Sequence, residues 1–248
     1  MKRAYWAGIL LLYMAFLVIT APSSMLFWAA NKLFSPYTIT AESSSGTIWH
    51  GEARGTVLAA KGQKALHLGQ ASWSLNLLRL LSGKLSADLV LTGNSTRGHG
   101  NVVLGMRSLR LQQVDLSLPA ALLAYLEPRL GMWPLQGVVN IRSNEFLLQP
   151  GHYQGNGEIT WEQAGISLSK INPIGSYHAT FSGREKAVQI QLQTQTGPLE
   201  IAGKGNWSQP AGFEFDGSAK AREHEPELRN LLGLIGKPNQ DGFYTIKF

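Results

Sequence analysis

The rhythm of hydrophobic and polar positions changes sharply near the start of this 248-residue chain. Ala4–Ala21 (AYWAGILLLYMAFLVITA) carries no charge, and Lys2 and Arg3 sit directly before it. A helix of that length spans ~27 Å, close to the hydrocarbon core of a bilayer, and satisfies its own backbone polar groups. Tyr5 and Trp6 stand at its entry and Phe27 and Trp28 past its exit, where amphipathic rings favour the membrane interface. A cleaved signal peptide shares the basic start and apolar middle. Cutting after Ala21 or Ala30, however, would put Ile19 or Trp28 where the signal requires a small residue. The reading is therefore a short cytoplasmic start (1–3), one uncleaved transmembrane helix (4–21), and export of the remainder, because basic charge is concentrated ahead of the helix. Met25–Phe34 is too short to span again, so 22–35 reads as an interfacial segment and linker.

From about Pro36 the period becomes two, and 36–248 reads as one mainly antiparallel β domain, a meander whose sheet is open and curved or barrel-like. Thr38–Glu42 predicts a strand, Ser43–Gly46 a turn, Thr47–Ala53 a strand, Arg54-Gly55 a turn and Thr56–Leu58 a strand. Further strands are predicted over Leu66–Leu75, Leu85–Thr92, Asn101–Leu104, Ser108–Leu118, Val138–Ile141, Glu145–Leu148, Gly157–Trp161, Ser176–Phe181, Leu199–Trp207, Phe213–Ala219 and Phe243–Phe248. Val188–Thr196 (VQIQLQTQT) alternates most cleanly, with Val188, Ile190 and Leu192 on one face and four glutamines on the other. Three pieces read as helical: Asn76–Leu81, Pro119–Leu130 (shortened by Pro128) and Glu225–Ile235. The last has Pro226 near its start and Gly236 and Pro238 at its end.

Composition narrows the function more by exclusion than by motif. Charged residues make up 15%, glycine is abundant at 27, and cysteine is absent, so disulfide scaffolds and thiol chemistry are excluded. The net charge of +6 comes from scattered Lys and Arg without interleaved aromatics, which fits anionic lipid better than nucleic acid. The six histidines are dispersed without metal-ligand spacing, and Glu223-His224-Glu225 sits where acidic groups suit a helix start. No nucleophile elbow, phosphate cradle or dinucleotide fingerprint appears. No catalytic, cofactor-binding or metal-binding residue is assigned, and no cofactor is expected.

Ser45-Gly46-Thr47-Ile48-Trp49-His50-Gly51-Glu52-Ala53 resembles the protein N family of bacterial type II secretion systems, and the order of motifs agrees along nearly the whole chain. Trp73-Ser74-Leu75, then Leu81-Ser82-Gly83-Lys84-Leu85, then Leu231–Gly236 and Asp241–Tyr244 follow in sequence, with Asn76 standing where the family pattern has proline. The resemblance implies a non-enzymatic inner-membrane component of the machine that carries folded proteins across the outer membrane. Its periplasmic body would contact other subunits, on the inner-membrane platform or the outer-membrane secretin. Trp49 and Gly51 match the family motif and are the candidate contact residues. Trp49 reads as a core anchor, and Gly51 as a residue permitting a bulge or turn. The alternative is a lipid-handling trough like that of bacterial AsmA-like proteins, marked by an apolar lining broad enough for an acyl chain.

Overall fold

The computed structural model describes residues 2–33, 35–60, 65–80, 82–126, 134–167, 169–209, 211–239 and 242–247. They fall into two compact units, residues 1–93 and 94–248. In the first, α1 (Lys2–Ile19) and α2 (Ser24–Leu33) precede β1 (Tyr37–Thr40), β2 (Ser43–Gly46), β3 (His50–Ala60), β4 (Leu66–Leu75), α3 (Leu77–Leu80) and β5 (Leu85–Thr92). All its pairings are antiparallel, with β3 central: β4 lies on one side, and β1 and β2 share the other.

The second unit is a meander in chain order. Its strands are β6 (Arg97–Leu104), β7 (Leu109–Pro119), β8 (Leu135–Gln149), β9 (His152–Ile166), β10 (Gly175–Glu185), β11 (Ala187–Thr196), β12 (Leu199–Ser208) and β13 (Gly212–Ala221). A 3-10 turn (Ala120–Leu122) and α4 (Leu123–Leu126) interrupt it, and α5 (Glu225–Ile235) leads to β14 (Lys237–Pro238) and β15 (Tyr244–Lys247). β15 inserts between β13 and β14. Among the described residues β6 and β14 do not pair, so the sheet of this unit is open.

Several strand boundaries differ from expectation. Ser43–Gly46, expected as a turn, is β2: its residues lie opposite Gly51–Arg54, held by main-chain pairing that needs no apolar side chain. Arg54-Gly55 is not a turn either. β3 runs through it with a register shift between Ala53 and Thr56, and Gly55 takes a φ of 60°. Residues with turn chemistry also make bulges. Val138–Ile141 and Glu145–Leu148 fuse into β8 across a similar irregularity after Arg142. Thr47–Trp49 precede β3 rather than belonging to it. Residues 127–130 of the helix expected over Pro119–Leu130, and Phe248 of the last strand, lie outside the described residues, as do Phe34, Leu81 and Asp241 of the expected segments.

Among the described residues no helix is long and apolar enough to cross a membrane. α1 is an 18-residue helix that opens on Lys2 and Arg3 and stops at Ile19, two residues short of the span expected over 4–21. Its uncharged part measures ~24 Å against the ~30 Å of a hydrocarbon core.

The second unit's core lies where α5 lays Leu228, Leu231 and Leu232 against Ile174, Tyr177, Leu199, Phe215 and Ile246. Pro226 opens the helix, and the Gly236 N–H closes it on the Leu232 carbonyl at 2.9 Å. Farther along the sheet, Phe146 meets Phe181 edge-on and Tyr153 tilts against Trp207, each pair 5.2 Å between centroids.

Tyr177 is 4% exposed and donates its hydroxyl to the Leu199 carbonyl at 3.0 Å. Burial pushes its ionisation well above the ordinary tyrosine range. The folded chain therefore keeps this proton at pH values where the unfolded chain releases it. Its contribution to stability is complete below pH ~10 and declines above that, by up to ~1.4 kcal/mol per pH unit. In an ultraviolet titration the last phenol to ionise will do so only as the fold opens, and Tyr177→Phe will remove that late step. An unchanged titration curve in Tyr177→Phe would contradict this.

Candidate functional site

Residues 18–23 and 44–51 form a joint in which α1 is tied to the first unit's sheet by main-chain bonds. After Ile19 the chain keeps turning, with Thr20 N–H bonded to Phe16 O at 2.9 Å and Ala21 N–H to Val18 O at 3.4 Å. Pro22 then bridges to Thr47, Ser23 N–H donates to Gly46 O (3.2 Å), and Ile48 N–H donates to Ala21 O (2.9 Å). The Trp49 indole N–H reaches the Val18 carbonyl at 2.8 Å, and on the other side Leu75 N–H donates to Trp49 O at 2.6 Å. Val18 is within the last four helical residues, whose carbonyls lack regular intrahelical donors; its carbonyl accepts the long bond from Ala21 N–H and, at shorter distance, the indole.

Four residues give the joint its shape. Trp49 is 7% exposed, its ring inside while its N–H turns to the helix end. Trp73, equally buried, donates its own indole N–H to the Ile48 carbonyl at 3.1 Å and takes the edge of Phe27 from α2 at 6.0 Å between centroids. Gly51 pairs with Trp73 across β3 and β4 in regular register. A Cβ there would come 2.5 Å from the Trp73 ring and 2.8 Å from the Ser45 carbonyl. What Gly51 supplies is room for the indole. Gly46 closes the turn with φ of 88°, a left-handed conformation that favours glycine.

α2 is held by a second contact. The Asn31 side-chain amide donates to Ile39 O at 3.0 Å and its carbonyl accepts from Ile39 N–H at 2.6 Å, so a side chain stands in for a strand along the β1 edge. Met25, Leu26, Trp28 and Ala29 of α2, with Ile48, Trp49, Leu75, Leu80 and Leu85, line an apolar recess of about 610 Å³ beside the joint.

The second unit has its own apolar recess, of about 220 Å³. Val139, Trp161, Tyr177, Leu199 and Ile201 of the sheet and Leu231 and Ile235 of α5 are among its walls. Among the described residues no group of three or more His, Cys, Asp or Glu side chains could hold a metal ion. Of the histidines, His50, His67, His99 and His152 are exposed, and His224 stands at the start of α5 without a side-chain cap.

Comparison with known proteins decides the family. The model of type II secretion system (T2SS) protein N matches residues 38–247. The chain belongs to the type II secretion system protein N family. It is 27% identical to the type II secretion system protein N of Vibrio cholerae serotype O1 over 98% of this chain and 97% of that one. It is 22% identical to the protein of the same description from Pectobacterium carotovorum subsp. carotovorum over 97% and 94%. No solved structure matches.

Family membership rests mainly on the β units, because the matched residues begin after α1 and α2; the relatives align along nearly the full length. Trp49 and Gly51, the residues the sequence singles out, come together with Trp73, which the sequence also presents as a motif. It gave no sign of Val18, Ala21 or Asn31. The first two act through main-chain carbonyls, which any residue carries, and Asn31 lies in a segment read only for its apolarity.

Gly51→Ala is expected to lower stability by about 1–3 kcal/mol, the range for overpacking a fitted site. Trp49→Phe, which removes the donor to Val18 and replaces the buried indole by a smaller ring, should cost at least about 1 kcal/mol. Denaturant unfolding of the full chain in detergent, followed by tryptophan emission, measures both. A Gly51→Ala midpoint equal to that of the unmodified chain would show that the Trp73 ring is not held as described.

Proposed function

We propose that this chain is a non-enzymatic component of the type II secretion apparatus that works by contact. α1 tethers it to the inner membrane with the amino terminus in the cytoplasm, and both β units face the periplasm. The observation that carries this reading is the joint: a helix with no covering of its own, tied by its main chain to a β unit. Every described side chain of α1 from Tyr5 to Ile19 is exposed, including the consecutive Phe16, Leu17, Val18 and Ile19, which face all sides of one turn. A helix that is apolar all round needs either a protein interior or lipid, and α1 has no such interior among the described residues. Helical hydrogen bonding that continues to Ala21 adds to the length available, and basic residues Lys2 and Arg3 directly ahead of the apolar run suit a cytoplasmic end. Family membership supports partners among the other subunits of the apparatus, at the inner-membrane platform or the secretin.

The second unit's apolar recess favours one alternative, an AsmA-like lipid-handling role. Its walls are apolar, and it lies beneath α5, the element that would have to shift to admit a chain.

Photoreactive residues at His50 and Lys247, both exposed, will separate these readings in intact cells. Capture of secretion subunits is the expected result, with secretion reduced when the gene is deleted. Capture of lipid alone, together with lipid co-purifying in mass spectra and unchanged secretion on deletion, would overturn the contact reading in favour of the trough.

A further inference from the structure

α2 carries two stripes of different fate. Phe27 and Asn31, four residues apart and so on one face, are the docked stripe: one meets Trp73 and the other holds Ile39. Met25, Trp28 and Lys32, at intervals of three and four, make the other stripe, and all three are exposed. Trp28 is 68% exposed, and the Lys32 ammonium sits 5.3 Å from the centre of its ring. Across the apolar recess, Leu80 of α3 is also exposed, as is Leu77 beside it.

This apolar surface is continuous with the end of α1. Ile48 and Trp49 belong to its recess, and these same residues bind the carbonyls of Ala21 and Val18. Two features suit it to a headgroup interface better than to water: large apolar side chains are grouped instead of scattered, and the charges beside them are basic, Lys32 at the border over an aromatic ring and Arg79 between Leu77 and Leu80, where it donates to Ser86 Oγ at 3.3 Å. The combination is that of an interfacial helix, with tryptophan at the level of the headgroups and a lysine directed to anionic lipid.

We propose that the Met25–Trp28–Lys32 stripe of α2 and Leu77 and Leu80 of α3 form a lipid-contacting foot, which rests in the bilayer interface on the side where α1 emerges. This inference rests on α1 being the tether. The joint then does more than attach the β unit. Because α2 is pinned to β1 through Asn31 and to β4 through Phe27, seating the foot in the interface sets the tilt of the whole first unit against the membrane.

The absence of cysteine from the chain makes the test direct. Single cysteines replacing Tyr13, Trp28, Leu80 and Met106, each in the full chain, are spin-labelled and reconstituted in vesicles of phosphatidylethanolamine and phosphatidylglycerol. All four positions are exposed, and circular dichroism checks that the β content is kept. The relative collision rates with oxygen, which enriches in lipid, and with a water-soluble nickel complex report depth. The foot predicts that Tyr13 is deep in lipid, Trp28 and Leu80 shifted towards oxygen at interfacial depth, and Met106 in water. Tyr13 in lipid with Trp28 and Leu80 as wet as Met106 would overturn the foot and leave the tether standing. All four positions in water would overturn both.

Discussion

A main-chain joint between a helix and a sheet governs what the first unit can do. Ile48 and Trp49 are gripped from two sides, by Ala21 and Val18 at the end of α1 and by Leu75 and Trp73 of β4. Helix ends leave carbonyls short of donors, and here the sheet side contributes one amide, to Ala21, and one indole, to Val18. A helix joined through flexible linker would leave its sheet free to swing. One joined through paired backbone is fixed in orientation to that sheet.

The packing around the joint repeats elsewhere. An aromatic ring is laid over a glycine on the adjacent strand: Trp73 over Gly51 in the first unit, and Phe181 over Gly157 in the second, where the two residues are cross-strand partners. Glycine interiors weaken strands because they bury no side chain, and a neighbouring ring covers the exposed backbone. The chain's 27 glycines thus serve packing as well as turning. Indole donors form a second recurring device: Trp49, Trp73 and Trp161 each bond to a main-chain carbonyl, the last to Gln136 at 2.8 Å. Each ring fills apolar space while its N–H ties two segments distant in sequence.

Where one face of a strand is buried and the other wet, the sequence announces it. Leu66–Leu75, Leu85–Thr92 and Val188–Thr196 stand within a residue of where alternation put them, and Glu225–Ile235 stands where proline and glycine bracket it. Ser43–Gly46 gave no such signal because all four residues are exposed and the strand is held by backbone pairing alone. β8 and β9, at 15 residues each, were legible only in pieces, since register shifts at Arg142 and Gly137 break the alternation by which strands are recognised. The joint was half legible. Its side-chain donors and the glycine that makes room for them form a motif, whereas the carbonyls they bind leave no trace in residue identity.

The joint itself is open to direct measurement by amide hydrogen exchange of the full chain in lipid, read by mass spectrometry. Peptides covering Ile48 and Leu75 are expected to exchange as slowly as the central strand β3, because both amides are bonded within the joint. Exchange of those amides at the rate of exposed loops, with β3 still protected, would contradict the account: helix and sheet would then be neighbours in the chain without being joined.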